Sequence, residues 1–255
     1  MGKFLYITHL RRNIVIKKIL LAAAAIGAFG IQSVSAQALN YDPYYVLPGE
    51  ARALGVDLGL ATPDAANFAD ATDIDLMGKY AVNDMIEVGA RASFGFLNEG
   101  ADSFSSIVLG GKYALNERTA FTLNLTPFNE AEEIGLSLGA MHSMPIEQID
   151  GGLNSQLQIG LLDAYAPVGM AVEILLQPVR PINEKFVGYL DVLISTNTDD
   201  MAEYLSVLVS PNVDVMLAEG WTLNAGVYGS AMSGDFAPNT EFGLIVTVLR
   251  DMHLQ

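Results

Sequence analysis

IDLMGKYAVND, running from Ile74 to Asp84, returns as IVLGGKYALNE from Ile107 to Glu117, with seven identities in eleven positions at a spacing of 33. Each copy alternates apolar with polar or small residues and ends on Asn beside an acidic residue. A second alternating run follows each copy, Ile86 to Phe96 after the first and Phe121 to Thr126 after the second. Period-two alternation sends successive side chains to opposite faces of a strand, and a tight polar break between two such runs makes an antiparallel hairpin. The hairpin is written twice, and the surrounding sequence follows the same pattern.

From Glu50 onward, alternation is broken only by Gly, Asn, Asp and Pro clusters. Runs of nine or more alternating positions predict twelve strands, near 50–61, 74–82, 85–97, 104–115, 119–127, 132–143, 152–162, 167–177, 186–196, 203–217, 221–231 and 239–249. The faces separate cleanly. Leu54, Val56, Leu58 and Leu60 alternate with Gly55, Asp57, Gly59 and Ala61; Ile86, Val88, Ala90 and Ala92 with Glu87, Gly89, Arg91 and Ser93; Leu157, Ile159 and Leu161 with Gln156, Gln158 and Gly160. One face is apolar and the other polar or tiny. Pro211 interrupts the tenth run, where its missing N–H predicts a bulge or break.

A soluble sandwich shows the same alternation, so three further features decide the environment. Lys3, Arg11, Arg12, Lys17 and Lys18 precede an apolar run from Ile19 to Ile31, then small residues at Val34–Ala36 or Ala36–Ala38, which predicts a secretory signal peptide over 1–38 cleaved after Ala36 or Ala38. Aromatic residues cluster at the ends of the apolar face, Tyr80, Tyr113, Phe186 and Trp221 near one set of turns and Phe94, Phe96, Tyr204 and Phe242 near the other, as in interfacial girdles. Connections alternate as well. Tight turns fall around Asn83, Asn116 and Gly220, whereas 62–73, 98–103, 196–202 and 232–239 are longer and lie on the opposite side. The connections 144–151 and 178–185 are read as long ones on the tight-turn side.

The expectation is an all-β chain: a transmembrane antiparallel up-and-down β-barrel of about twelve strands over 50–255, after a periplasmic lead-in at 39–49 and export to the bacterial outer membrane. Strands of roughly 9–11 residues are long enough to cross a bilayer when tilted.

With 51% apolar residues and a mean hydropathy of +0.33, the chain is greasy for a soluble protein. It has no cysteine, so strand pairing must stabilise it without disulfides. Beyond residue 38 it carries 8 basic against 29 acidic residues, a net of −21, which argues against nucleic acid as a partner.

The last strand, Glu241-Phe242-Gly243-Leu244-Ile245-Val246-Thr247-Val248, resembles the terminal signal by which outer-membrane barrels engage the barrel-assembly machinery, although it continues to Gln255 instead of ending on an aromatic. The layout, with Ser210-Pro211-Asn212 followed by WTLNAGV from Trp221 to Val227, is similar to the outer-membrane transporters named after meta-pathway phenol degradation. That resemblance implies a transport role and names no cofactor.

Catalysis is not expected. A hydrolase of the outer-membrane phospholipase kind needs a His and a Ser two apart on one strand face, whereas His142 and Ser143 are adjacent and point apart. The ionisable residues assigned to the lumen are Asp57, Asp75, Lys79, Glu87, Arg91, Lys112, Glu173, Asp191 and Asp214. They read either as a cross-strand ion-pair network that holds the wall, or as a charged constriction that selects solutes.

The outer loops and their edges carry Asp64, Asp70, Asp73, Glu99, Asp102, Glu130, Glu132, Glu133, Asp163, Asp199, Asp200, Glu203, Asp235 and Glu241, with no Lys or Arg. They read as a solvated surface bridged to lipopolysaccharide by divalent ions, or as a vestibule that concentrates cations. Asp199, Asp200 and Glu203 could ligate calcium, but carboxylates this close are common in loops, and no metal or other cofactor is expected. The leading function is passive, cation-biased passage of small solutes; the alternative is a closed structural or surface-binding barrel.

Overall fold

The computed structural model describes residues 53–62, 73–94, 106–129, 134–161, 169–234 and 243–253. Among them are twelve strands: β1 (Ala53–Thr62), β2 (Asp73–Ala81), β3 (Ile86–Phe94), β4 (Ser106–Asn116), β5 (Thr119–Asn129), β6 (Gly135–Ile146), β7 (Gly151–Gly160), β8 (Ala171–Pro181), β9 (Phe186–Asn197), β10 (Ser206–Ala218), β11 (Trp221–Ser233) and β12 (Gly243–His253). Each pairs antiparallel with the next, and β1 pairs with β12 from Ala53↔His253 to Thr62↔Leu244, which closes the barrel. The signal peptide, the lead-in and the start of the first expected strand lie outside the described residues.

The turns explain why the chain reverses where it does. Asn83 Oδ1 accepts from the backbone N–H of Met85 and Ile86, each at 2.9 Å, while Val82 N–H donates to Ile86 O at 2.8 Å. The β8–β9 turn repeats this: Asn183 Oδ1 accepts from Lys185 and Phe186, and Ile182 N–H donates to Phe186 O at 2.8 Å. Asn116 Oδ1 accepts from Arg118 N–H, and Gly220 turns the chain at φ +67°. The side-chain oxygen of Asn mimics a backbone carbonyl and so seeds a short reversal.

Two connections correct the sequence reading. β6 runs to Ile146 and β8 to Pro181, so 147–150 and 182–185 are four-residue turns on the tight-turn side, not long ones. Pro145, Pro178 and Pro181 break the alternation there without breaking the strand.

The expected face assignment holds across the wall. Leu109, Tyr113, Phe121, Leu123, Leu125, Leu138 and Leu157 are exposed outward, whereas Lys112, Thr122, Asn124, Ser137, Gln156 and Gln158 on alternate positions are buried inward. This is inside-out relative to a soluble protein. Trp221 and Arg250 also face outward at the turn end, where the guanidinium carbon lies 5.1 Å from the ring centroid and Nη1 donates to Glu219 O at 2.7 Å.

Proline leaves its mark in two places, and both are laced from inside. Over Ser210–Pro211 the β10–β11 pairing lapses between Val209↔Gly229 and Asn212↔Gly226, and Ser210 Oγ donates to Val227 O at 3.0 Å in place of the absent N–H. A bulge at Val207/Leu208 precedes it. Over Gln177–Pro178 the β8–β9 pairing lapses within an unchanged register, and Gln177 Nε2 donates to Asp191 Oδ1 at 2.9 Å.

Placing a charge on the lipid-facing side mid-strand should be costly. Leu123→Arg is expected to destabilise the folded barrel by about 2–4 kcal/mol in urea titrations in lipid vesicles. An unchanged midpoint would mean that this face does not meet hydrocarbon.

Candidate functional site: the barrel lumen

The lumen has two chemically different halves. From β5 to β11 its hydrogen bonds run through amides, hydroxyls and a few carboxylates. Asn124 on β5 meets Ser137 on β6, which accepts from Gln158 on β7 at 2.7 Å. Nearer the turns a longer belt crosses five strands. Ser143 Oγ donates to Asn154 Oδ1 at 2.7 Å, Asn154 Nδ2 to Gln177 Oε1 at 3.0 Å, and Gln177 Nε2 to Asp191 Oδ1 at 2.9 Å. From the other side Asn212 Nδ2 donates to Asp191 Oδ2 at 3.0 Å. A carboxylate accepts only, so Asp191 orients the amides on both sides, and each bond in such a chain strengthens the next. A second carboxylate, Asp214, accepts from Asn224 Nδ2 at 2.8 Å beside the Tyr189 hydroxyl. Glu173 is buried on the same wall.

The β2–β4 wall holds the lumen's basic residues among those described. Glu87 and Lys112 face each other across β3 and β4, and Lys112 Nζ lies 3.0 Å from Glu87 Oε1 with side-chain exposures of 2% and 10%. Asp75 accepts a short hydrogen bond from Ser93 Oγ. Lys79 faces the lumen beside them on β2. Arg91 stands opposite Met77 and Val108 in the two ladders, with Nε and Nη2 buried and without a hydrogen-bond partner among the described residues. Of the network expected across β1–β4, the Glu87–Lys112 ion pair and the Asp75–Ser93 hydrogen bond lie among the described residues. Asp57 lies on β1 with its backbone opposite Met77 and Leu249, and its side chain lies outside the described residues.

Sequence reasoning missed the apolar side chains inside. Val108, Ala114, Ala120 and Met141 are buried together against Met77, and Leu208, Tyr228 and Ile245 against Leu193. These sit on the inward positions expected to be polar or tiny, and they narrow the bore. Alternation shows which face a residue takes, but it does not show how far that residue reaches into the lumen.

His142 faces outward with Nδ1 3.1 Å from Thr119 Oγ1, while Ser143 faces inward to Asn154, so the two do not form a nucleophile–base pair. Of the acidic loop residues, Asp199, Asp200 and Glu203 are described. Asp200 Oδ1 accepts from Glu203 N–H at 3.2 Å, and Asn197 Oδ1 from Asp199 N–H at 3.0 Å, so this loop is held by its own backbone. No group of three His, Cys, Asp or Glu among the described residues is arranged to hold a metal ion. Asp64, Asp70, Glu99, Asp102, Glu130, Glu132, Glu133, Asp163, Asp235, Glu241 and the side chain of Asp73 lie outside the described residues.

A closed, inside-out, twelve-stranded meander with a polar lumen is a transmembrane up-and-down β-barrel of the outer-membrane type. Known structures agree on the fold. An outer membrane channel from Pseudomonas putida F1 superposes with a TM-score of 0.62 at 12% identity, covering 84% of this chain and all of that one. The KdgM porin in complex with disordered oligogalacturonate gives 0.57 at 7% identity, covering 79% of this chain and 99% of that one. The NanC porin gives 0.52 at 8%, covering 79% of this chain and all of that one. No family model and no curated protein matches the sequence, so the likeness to the meta-pathway transporters rests on pattern alone.

Removing the acceptor on which the belt converges should loosen the wall. Asp191→Ala strands the Gln177 donor, whereas Asn212 Nδ2 keeps its bond to Ser210 O at 2.8 Å, and a loss of about 1–3 kcal/mol is expected in urea unfolding in vesicles. Asp191→Asn, which can still accept one bond, should lose less. At the opposite wall, Glu87→Gln removes the carboxylate that lies 3.0 Å from the buried Lys112 Nζ and should cost about 3–5 kcal/mol, most of it recovered in Glu87→Gln/Lys112→Met. A double variant as unstable as the single one would show that packing, not charge, sets the loss.

Proposed function

We propose that this chain forms an outer-membrane pore for the passive, cation-biased passage of small polar solutes. The observation that carries the reading is the lumen itself: a closed barrel, apolar outside, whose bore is lined by hydrogen-bonding side chains from β5 to β11 and by charges on β2–β4 and β8–β10. Donors and acceptors along a bore replace part of the water that a solute gives up on entry, which lowers its barrier. Among the described residues the lumen holds the carboxylates Asp75, Glu87, Glu173, Asp191 and Asp214 against Lys79, Arg91 and Lys112. An excess of negative charge between low-dielectric walls concentrates cations and repels anions. The acidic loops would extend that field outward, bridged to lipopolysaccharide by divalent ions. Export through a cleaved signal peptide and insertion by the barrel-assembly machinery through the last strand complete this reading, and the pattern shared with the meta-pathway transporters points the same way.

A second reading is a closed structural or surface-binding barrel, favoured by the apolar clusters and the buried Glu87–Lys112 pair that occupy the bore. Conductance separates the two. The refolded chain, with folding confirmed by a heat-shifted gel band, should give discrete steps in a planar bilayer under a salt gradient and a cation-selective reversal potential. Asp191→Asn with Asp214→Asn should move that potential toward zero. A silent bilayer from a folded barrel, with steps appearing only after Arg91→Ala/Lys112→Ala, would establish the closed reading instead.

A further inference from the structure

The β2–β3 and β8–β9 hairpins turn on the same motif. VNDMI at 82–86 and INEKF at 182–186 place Asn at the same point with the same backbone bonds. Counting from these turns, Arg91 is the sixth residue of β3 and Asp191 the sixth of β9. In the closed order, β3 and β9 are six strands apart in either direction, so the two residues occupy one level on opposite walls.

The basic charges around them are confined to one side. Lys79, Arg91 and Lys112 lie on β2, β3 and β4, where Asp75 and Glu87 offset part of their charge, whereas Glu173, Asp191 and Asp214 lie on β8, β9 and β10. No inward position of β5–β12 among the described residues is Lys or Arg. Gln177 and Asn212 hold the Asp191 carboxylate from both sides, while Nε and Nη2 of Arg91 are turned to no acceptor among the described residues.

We propose that this pairing makes the bore a filter for zwitterions: solutes with one carboxylate and one ammonium, of amino-acid or betaine type, are drawn in and oriented with the carboxylate toward Arg91 and the ammonium toward Asp191 and Asp214. This rests on the passage reading and names its substrate class. Twelve tilted strands spaced by about 4.8 Å enclose a backbone cylinder roughly 24 Å across. That is wider than one small zwitterion, so the solute responds to the field between the walls rather than bridging them. A dipole aligned in a transverse field is stabilised without net charge, whereas a single cation is held on one wall and a single anion is repelled from it. With Nε and Nη2 buried, the Arg91 guanidinium acts on the carboxylate end through its permanent positive charge.

The test uses two isomers of equal mass, alanine as the zwitterion and lactamide as the neutral amide, in flux assays on proteoliposomes with protein-free vesicles subtracted. The wild-type chain should pass alanine about tenfold faster than lactamide. Arg91→Gln and Asp191→Asn, each checked for folding by the heat-shifted band, should bring the ratio near one while lactamide flux persists. Arg91→Lys, which keeps the charge, should retain the preference and also serves if the glutamine variant does not fold. Equal wild-type fluxes, or a preference that survives Arg91→Gln, would overturn the filter and leave passage standing. No flux of either isomer through a folded barrel would overturn passage and the filter together.

Discussion

Every part of this structure depends on the closure of the strand ladder. In hydrocarbon an unpaired backbone N–H or C=O has no water to turn to, so a sheet that spans a membrane cannot have an edge. The β1–β12 pairing removes that edge and makes the period-two alternation meaningful: with the wall closed, one face must be lipid and the other lumen. The outward leucines and the inward Asn124, Gln156 and Gln158 are two consequences of one geometric condition.

Closure also explains the treatment of the prolines. A proline in a ladder withholds a donor, which water would repair in a soluble protein. Here the repair comes from the lumen. Ser210 reaches the carbonyl of Val227 beside Pro211, while beside Pro178 the side-chain bond from Gln177 to Asp191 ties β8 to β9 without replacing a backbone donor. Asp191 lies between these two lapses and accepts from both β8 and β10, so a residue placed as if to set solute preference is also part of what holds that side of the wall. Wall and bore share their side chains, and a lumen substitution acts on stability and passage together.

The opposite wall is built differently. Glu87 and Lys112 neutralise each other in a buried pair, and the Met77, Val108 and Met141 cluster packs alongside. Direct pairing of charge on one side and amide lacing on the other leave the bore electrically uneven, with its basic residues gathered on three adjacent strands. For a solute, that unevenness matters as much as the width.

The sequence by itself determined the strands and their faces. Twelve runs, the tight turns at Asn83, Asn116 and Gly220, and the sides taken by Glu87, Arg91 and Gln158 follow from a period of two and from turn chemistry, both properties of a few consecutive residues. It misread 144–151 and 178–185 because Pro145, Pro178 and Pro181 interrupt the pattern that marks a strand, although neighbouring strands hold each one in register. Only the tertiary structure decided that Ser143, Asn154, Gln177, Asp191 and Asn212 form one belt, that Arg91 and Asp191 share a level, and that Leu208 and Ile245 pack together inside the bore. Those relations join residues from about ten to a hundred positions apart. They exist only once the wall has curved round and closed, and local periodicity carries no information about curvature.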